Sequence, residues 1–226
     1  MIGTVMESSH IPMIKWALAF HLMASSKKGY SAHQLMRTLG LGSYRTAWFM
    51  AHRIREAMFV PDPEPFGGKD KVVEVDETFI GKPESIFVSG KGWQDKRGTA
   101  TKRKVMTLVE RGGRAKSFKV KDLDIKTINK VLWRVNHSEG EYVRGDVTTN
   151  TVEGFFGIFK RGMTGVYQHC GETHLQAYLN EFDFRYSNRV KLGVDDAERT
   201  RRAIKGAEGK RLTYNPARSA QSDRVV

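Results

Sequence analysis

With 226 residues, 39% of them hydrophobic and 10% aromatic, the chain has apolar matter for one mid-sized domain and a small accessory one, which excludes a wholly disordered basic tail. Its 38 Lys and Arg against 25 Asp and Glu leave a formal net charge of +13, which favours a polyanionic partner through release of counterions from phosphates; the bland alternative is charge that serves solubility alone. The lone cysteine, Cys170, excludes a disulfide within the chain and a cysteine-rich zinc site, so no zinc is expected.

The opening stretch, MIGTVMESSHIP, lacks the basic start and long apolar run of a signal peptide. The apolar run from Trp16 to Met23 is too short and too interrupted to span a bilayer. Both observations predict a cytoplasmic protein with no membrane partner.

Up to about Met58 the chain reads as helical. Ile14, Ala17, Leu18, His21 and Leu22 recur at helical spacing and predict one apolar face. Gly29 breaks the pattern. Ser31 and Gln34 have capping-box spacing and open a second helix, AHQLMRTLG, which Gly40 ends. Ser43 opens a third, YRTAWFMAHRIREAM, in which Ala47, Phe49 or Met50, and Ile54 face inward. Helix, short glycine-containing turn, helix is the helix-turn-helix arrangement. Arg45, Arg53 and Arg55, beside Tyr44 and His52, are then candidate DNA contacts, although a three-helix packing unit with solvated arginines has the same pattern. Residues 1–60 are expected as this helical DNA-binding region, and the prolines and glycine pair of VPDPEPFGGKDK make 61–70 a linker.

A β-rich stretch follows. KVVEVDETFI, Lys71 to Ile80, alternates well enough for a strand. Residues 81–102, rich in Gly, Lys and Ser, read as a mobile basic loop. Lys104 to Glu110 is a second strand, RGGR at 111–114 a turn, and Ala115 to Val120 the returning strand of a hairpin. Asp124 caps a short helix, IKTINKVLW, after which RVNHSEGEYVRGD has no clear period. In TNTVEGFFGIFKRG, Val152, Phe155, Phe156 and Phe159 stand at i, i+3, i+4 and i+7, a buried helical face. From about Glu172 to Arg185 a second amphipathic helix carries Leu175, Tyr178, Leu179, Phe182 and Tyr186. Residues 191–226 read as a basic tail with one helix from about Asp195. The fold class is α+β.

Two groups of residues carry chemistry. Asp76 lies in a strand among Val72, Val73, Val75 and Ile80, where a carboxylate is costly unless compensated. A Mg²⁺ ion would compensate it; alternation, however, puts Asp76 with Glu74 and Thr78 opposite Val75, so a place on the solvent face is equally open. Asn150, Glu153 and Lys160, at spacings of three and seven, share the polar side of their helix. They suit an enzyme that needs oxygens on a metal and a cation near DNA phosphate, and equally a plain solvated face.

The VEVDETFIG strand, the VERGGR turn, NHSEGEYVRGDVTTNTVEGFFGIFKRGMTGVYQH and EFDFRYSNR together resemble the ISXO-like branch of bacterial DDE-type insertion-sequence transposases. The segment from SSHIPMIKWALAF to AHRIREAM resembles the region preceding their catalytic domain, so the likeness runs to about residue 190.

The resemblance implies a ribonuclease-H-like catalytic domain over 71–190, in which two divalent ions, Mg²⁺ or Mn²⁺, drive in-line attack on phosphodiester bonds. Asp76 matches the first metal-binding Asp, and the third position falls on Asn150, with Glu153 its rival. Lys160, followed by Arg161, matches the basic residue that holds donor DNA. Glu181, Arg185 and Arg189 match a signature on the following helix, which makes Arg185 and Arg189 candidate DNA contacts. The implied partner is double-stranded DNA, both element ends and target, with a second copy of the chain as a further candidate.

Two departures stand out. The family begins with a cysteine-rich zinc ribbon, and this chain starts just after where it would end, which reads as an N-terminal truncation. The family's second catalytic Asp follows the helix that here ends near Trp133, and its strand and connections need on the order of 20–40 residues. Here KVLW runs directly into RVNHSEGEYVRG, so an internal deletion near 133–134 is expected, leaving the mixed sheet incomplete. The expected function is that of a transposase defective in strand cleavage and transfer. The alternatives are a transposase-derived protein that only binds DNA, and a decayed gene whose product scarcely folds.

Overall fold

A computed structural model describes residues 2–61, 66–67, 71–81, 85–95, 99, 102–121, 123 and 149–213. The chain is α+β: an N-terminal helical region is followed by strands and then by further helices. The expected helix at 124–133, the deletion point and the stretch that would carry a fourth, parallel strand lie outside the described residues.

The first three helices are α1 (Met13–Ser25), α2 (Ala32–Leu39) and α3 (Tyr44–Met58). Local chemistry sets their ends. Ser31 Oγ accepts from Gln34 N while Gln34 Oε1 accepts from Ser31 N, which satisfies two otherwise orphaned donors. Gly40 closes α2 in the left-handed conformation, φ 56°, where a side chain would be strained. Ser43 caps α3 by accepting from Thr46 N.

One expectation inverts here. The buried face of α1 is Trp16, Ala19, Phe20, Met23 and Ala24; of the expected stripe Ile14, Ala17, Leu18, His21 and Leu22, Leu22 alone packs against that core and is half-buried. Ile14 and Leu18 remain 67% and 47% exposed. On α3 the inward residues are Ala47, Met50, Ala51 and Ile54.

The sheet has three antiparallel strands, β1 (Val73–Ile80), β4 (Arg103–Glu110) and β5 (Ala115–Val120), in the order β1-β4-β5. Between β1 and β4, where a basic loop was expected, β2 (Ser85–Val88) and β3 (Gly92–Asp95) form a separate hairpin around Ser89, Gly90 and Lys91. Residues opposite one another in an antiparallel pair share a face. The register therefore puts Asp76, Thr107 and Ser117 in one row, with Glu74, Val109 and Ala115 in the next.

That face is covered by α4 (Asn150–Gly162) and α5 (Leu175–Ser187). Its core joins Val105, Val109 and Ala115 to Val152, Phe155, Phe156, Phe159, Leu175, Leu179 and Phe182, as the helical spacings predict. The opposite face carries Met106, Leu108, Phe118 and Val120, and Phe66 of the expected linker is buried against them.

Two joints position the parts. Gly162, at the end of α4, lets the helix close on the Lys28 carbonyl; a Cβ there would lie 2.5 Å from that oxygen and 2.5 Å from Phe182 Cζ. The helix α6 (Asp196–Lys205), capped by Asp195, packs on α1 rather than trailing as a tail, and Phe184, Ala203 and Ala207 enter the core of the first three helices.

The two edges of the sheet differ. Along β5, the outward N–H groups of Ala115, Ser117 and Lys119 donate to Ser187 Oγ (3.0 Å), Asp183 Oδ2 (2.7 Å) and Gln176 Oε1 (2.9 Å), so α5 seals that edge with side chains. Along the outer side of β1 no described strand is paired.

Candidate active site and nucleic-acid interface

Asp76 sits half-buried on the helix-covered face, not on the solvent face, and its Oδ1 accepts from Glu77 N at 2.8 Å. Two residues earlier, Glu74 is buried on the same face. One oxygen of Glu74 accepts from the backbone N–H groups of Thr151 and Val152, both at 2.9 Å; the other accepts from Arg111 Nε at 2.7 Å. A carboxylate at a helix N-terminus meets orphan donors and the positive end of the helix dipole. Burial alone would push the Glu74 carboxyl up, but the bonds from Arg111 and from Val152 and Thr151 outweigh it and hold it below the usual range.

Glu74 thereby fixes the start of α4 over the face that carries Asp76. Asn150, the first residue of α4, is exposed there. Glu153 is exposed and accepts from Thr149 Oγ1 at 2.7 Å. Lys160 and Arg161 are exposed in the last turn of α4. The side of α4 on which Asn150, Glu153 and Lys160 lie is therefore open to solvent along its length.

Divalent ions take several hard oxygens at short range, and a two-ion site needs a carboxylate shared between them. Among the described residues no three His, Cys, Asp or Glu side chains gather closely enough to hold an ion. Glu74, the nearest acid by sequence on that face, spends both oxygens on Arg111 and α4. The described residues do not fit a two-ion centre, and no reaction step through one follows from them.

The arginines separate into surface and core. Arg45 is exposed on the first turn of α3. Arg53 is half-buried, donates to the Glu7 carbonyl at 3.0 Å and covers Phe49. Arg55 is buried: its Nε donates to Glu181 Oε2 at 2.7 Å and its guanidinium lies 3.9 Å from the Tyr178 ring centroid. Arg185 is buried on the other side of Glu181, and Tyr167 donates to the same carboxylate at 2.6 Å. Burial opposes ionisation of Glu181, yet Arg185 and Arg55 hold its carboxyl low. Arg189 donates to the Gly113 and Tyr186 carbonyls, both at 2.6 Å, and so clamps the β4–β5 turn. Arg55 and Arg185 thus stand in the core rather than on a surface that could meet phosphate.

Several important residues had no distinct signal as single letters. Asp183 is buried, accepts from Ser117 N and Ser117 Oγ (both 2.7 Å), and burial pushes its carboxyl up to about 6 against those two bonds. His52 is buried beneath Trp48, with ring centroids 4.1 Å apart; burial, then Arg55 and His174, push its imidazole down to about 2, so it is neutral. Phe87 and Trp93 stand opposite each other across the β2–β3 hairpin and are 65% and 74% exposed. Their placement either side of a Ser-Gly-Lys-Gly turn was the available signal for that hairpin.

Residues 124–187 match the family model described as ISXO2-like transposase domain. The matched stretch includes α4, α5 and the turns between them. No curated protein and no solved structure matches the chain.

Proposed function

We propose that this chain, whose residues 124–187 belong to the ISXO-like branch of insertion-sequence transposases, engages double-stranded DNA of the element's ends but is defective in strand cleavage and transfer. The observation that carries the defect is the use of the acidic residues around the first catalytic position. Asp76 is the one described carboxylate of that face left for a metal, because Glu74 is committed to Arg111 and to the N-terminus of α4. From α4, Asn150 offers an amide oxygen with no net charge, and its rival Glu153, which accepts from Thr149 Oγ1, adds at most one further carboxylate. Two cations beside so little negative charge would repel each other with poor compensation.

DNA engagement rests on the net charge of +13 and on exposed Arg45, Lys160 and Arg161. In this reading α2 and α3 act as the helix-turn-helix pair, with Arg45 at the leading end of the second helix. The sheet and helices from 71 to 190 are the remnant of a ribonuclease-H-like domain.

The test is a plasmid carrying the element's own ends, incubated with the protein and Mg²⁺ or Mn²⁺. No cleavage is expected, while a companion chain with the absent segment restored from an intact sister copy should cut. Specific cleavage by the present chain that Asp76→Asn abolishes would overturn the defect, and would move the missing ligand to a residue such as Glu139 or Asp146.

A further inference from the structure

The β2–β3 hairpin is unlike the rest of the chain. Its strands pair with each other through Ile86–Gln94, Phe87–Trp93 and Val88–Gly92, and among the described elements they pack chiefly on each other. An isolated two-stranded hairpin is marginal in water, so large aromatic side chains on it are costly to leave uncovered. Yet Phe87 and Trp93 share one face, meet edge-on with ring centroids 5.8 Å apart, and are among the most exposed large apolar side chains of the protein. Residues 81–104, which contain the hairpin, hold seven Lys and Arg against two acidic residues. The hairpin leaves the end of β1 that follows Asp76.

We infer that the Phe87–Trp93 face of this hairpin is a stacking platform for unpaired nucleobases of DNA. The charge of the segment selects a polyanion, and the rings select what part of it is met. A phenyl ring offers no hydrogen bond to a base edge, and an indole offers one donor, so neither reads a duplex groove by donor and acceptor pattern. Both stack well on a flat π-face. A duplex hides its base faces within the helical stack, whereas a frayed end, a nick or a single strand exposes them. The edge-on pairing keeps the two rings at an angle of 70°, and both stay largely exposed to an incoming base. This assignment rests on the reading that the chain handles DNA, and it adds the form of DNA that this element recognises.

The experiment uses the full chain and two fluorescein-labelled probes of one sequence, a single strand and a blunt duplex, followed by anisotropy. The wild-type protein should bind both. Phe87→Ala/Trp93→Ala should weaken binding to the single strand by on the order of tenfold or more and leave duplex affinity within about twofold. Trp93→Phe should retain most of the single-strand affinity. Indole emission should be quenched on adding the single strand, and that quenching should be absent in Trp93→Phe. Unchanged single-strand binding in the double variant would overturn the stacking role while leaving duplex recognition intact as a separate result, and an equal loss on both probes would overturn the selectivity for unpaired bases. A double variant with unaltered DNA binding but a smaller hydrodynamic size would assign the face to contact between copies. A wild-type chain that binds neither probe would remove the DNA reading altogether.

Discussion

Arg55 and Glu181, 126 positions apart in sequence, form an ion pair of 2.7 Å with both side chains buried. The pair ties α3 of the N-terminal helices to α5 beneath the sheet, and Arg185 and Tyr167 complete the coordination of the same carboxylate. Removing Arg55 takes its charge-assisted bond from Glu181 and leaves Arg185 as the remaining buried cation on that carboxylate. Arg55→Leu is expected to destabilise the protein by about 1–3 kcal/mol, measured as a lower urea midpoint at unchanged slope. An effect confined to DNA affinity, with stability intact, would return Arg55 to the surface role that its helix position first suggests.

Glu74 should give stability with a distinct acid limb. Its carboxyl is held below the ordinary value, so its contribution is present above the unfolded-state value near 4.5 and is lost as pH falls through the lower, folded value. Glu74→Gln is expected to cost about 1–3 kcal/mol at neutral pH, by loss of the charge-assisted bonds to Arg111 and the α4 N-terminus. The two unfolding curves should converge below pH 4.5; parallel curves across the acid range would refute the assignment.

Asp183 behaves in the opposite sense. Its folded value, about 6, lies above the ordinary 3.8. The protonated form is the one that the fold favours, so this contribution is full below 3.8 and is lost as pH rises through about 6. Measured against Asp183→Asn, the wild-type protein should lose on the order of 3 kcal/mol of relative stability between pH 4 and pH 7. A difference that does not change over this interval would show that Asp183 ionises normally.

On DNA, the exposed cations should govern the ionic component of binding. Replacing Arg45, Lys160 and Arg161 with Ala should lower duplex affinity and reduce the slope of log affinity against log salt by about 1 for each phosphate no longer neutralised. Arg185→Ala, by contrast, should lower stability first. A salt slope unaltered by the triple replacement would move the duplex surface elsewhere, to the basic segment at 191–226.

Local features were the legible ones. Ser31, Gly40, Ser43 and Asp195 announce helix ends because a cap is a hydrogen bond between near neighbours, and the bounds of β5 follow from a turn beside an alternating run. The phase of α1 was not legible because both its sides are apolar: Ile14 and Leu18 have the same period as Trp16, Phe20 and Met23, and only tertiary packing chooses between them. Arg55 and Arg185 read as surface residues because their shared partner, Glu181, identifies itself only once α3 and α5 meet. The place of Asp76 on the covered face needed the position of α4, which a strand's alternation alone does not give.

The sealed margin of β5 has a consequence for assembly. With Gln176, Asp183 and Ser187 occupying the outward donors of Ala115, Ser117 and Lys119, a strand from another molecule finds no free N–H to pair with along those three residues. The helix that packs the core therefore also guards this side of the sheet against the edge-to-edge growth that builds fibres.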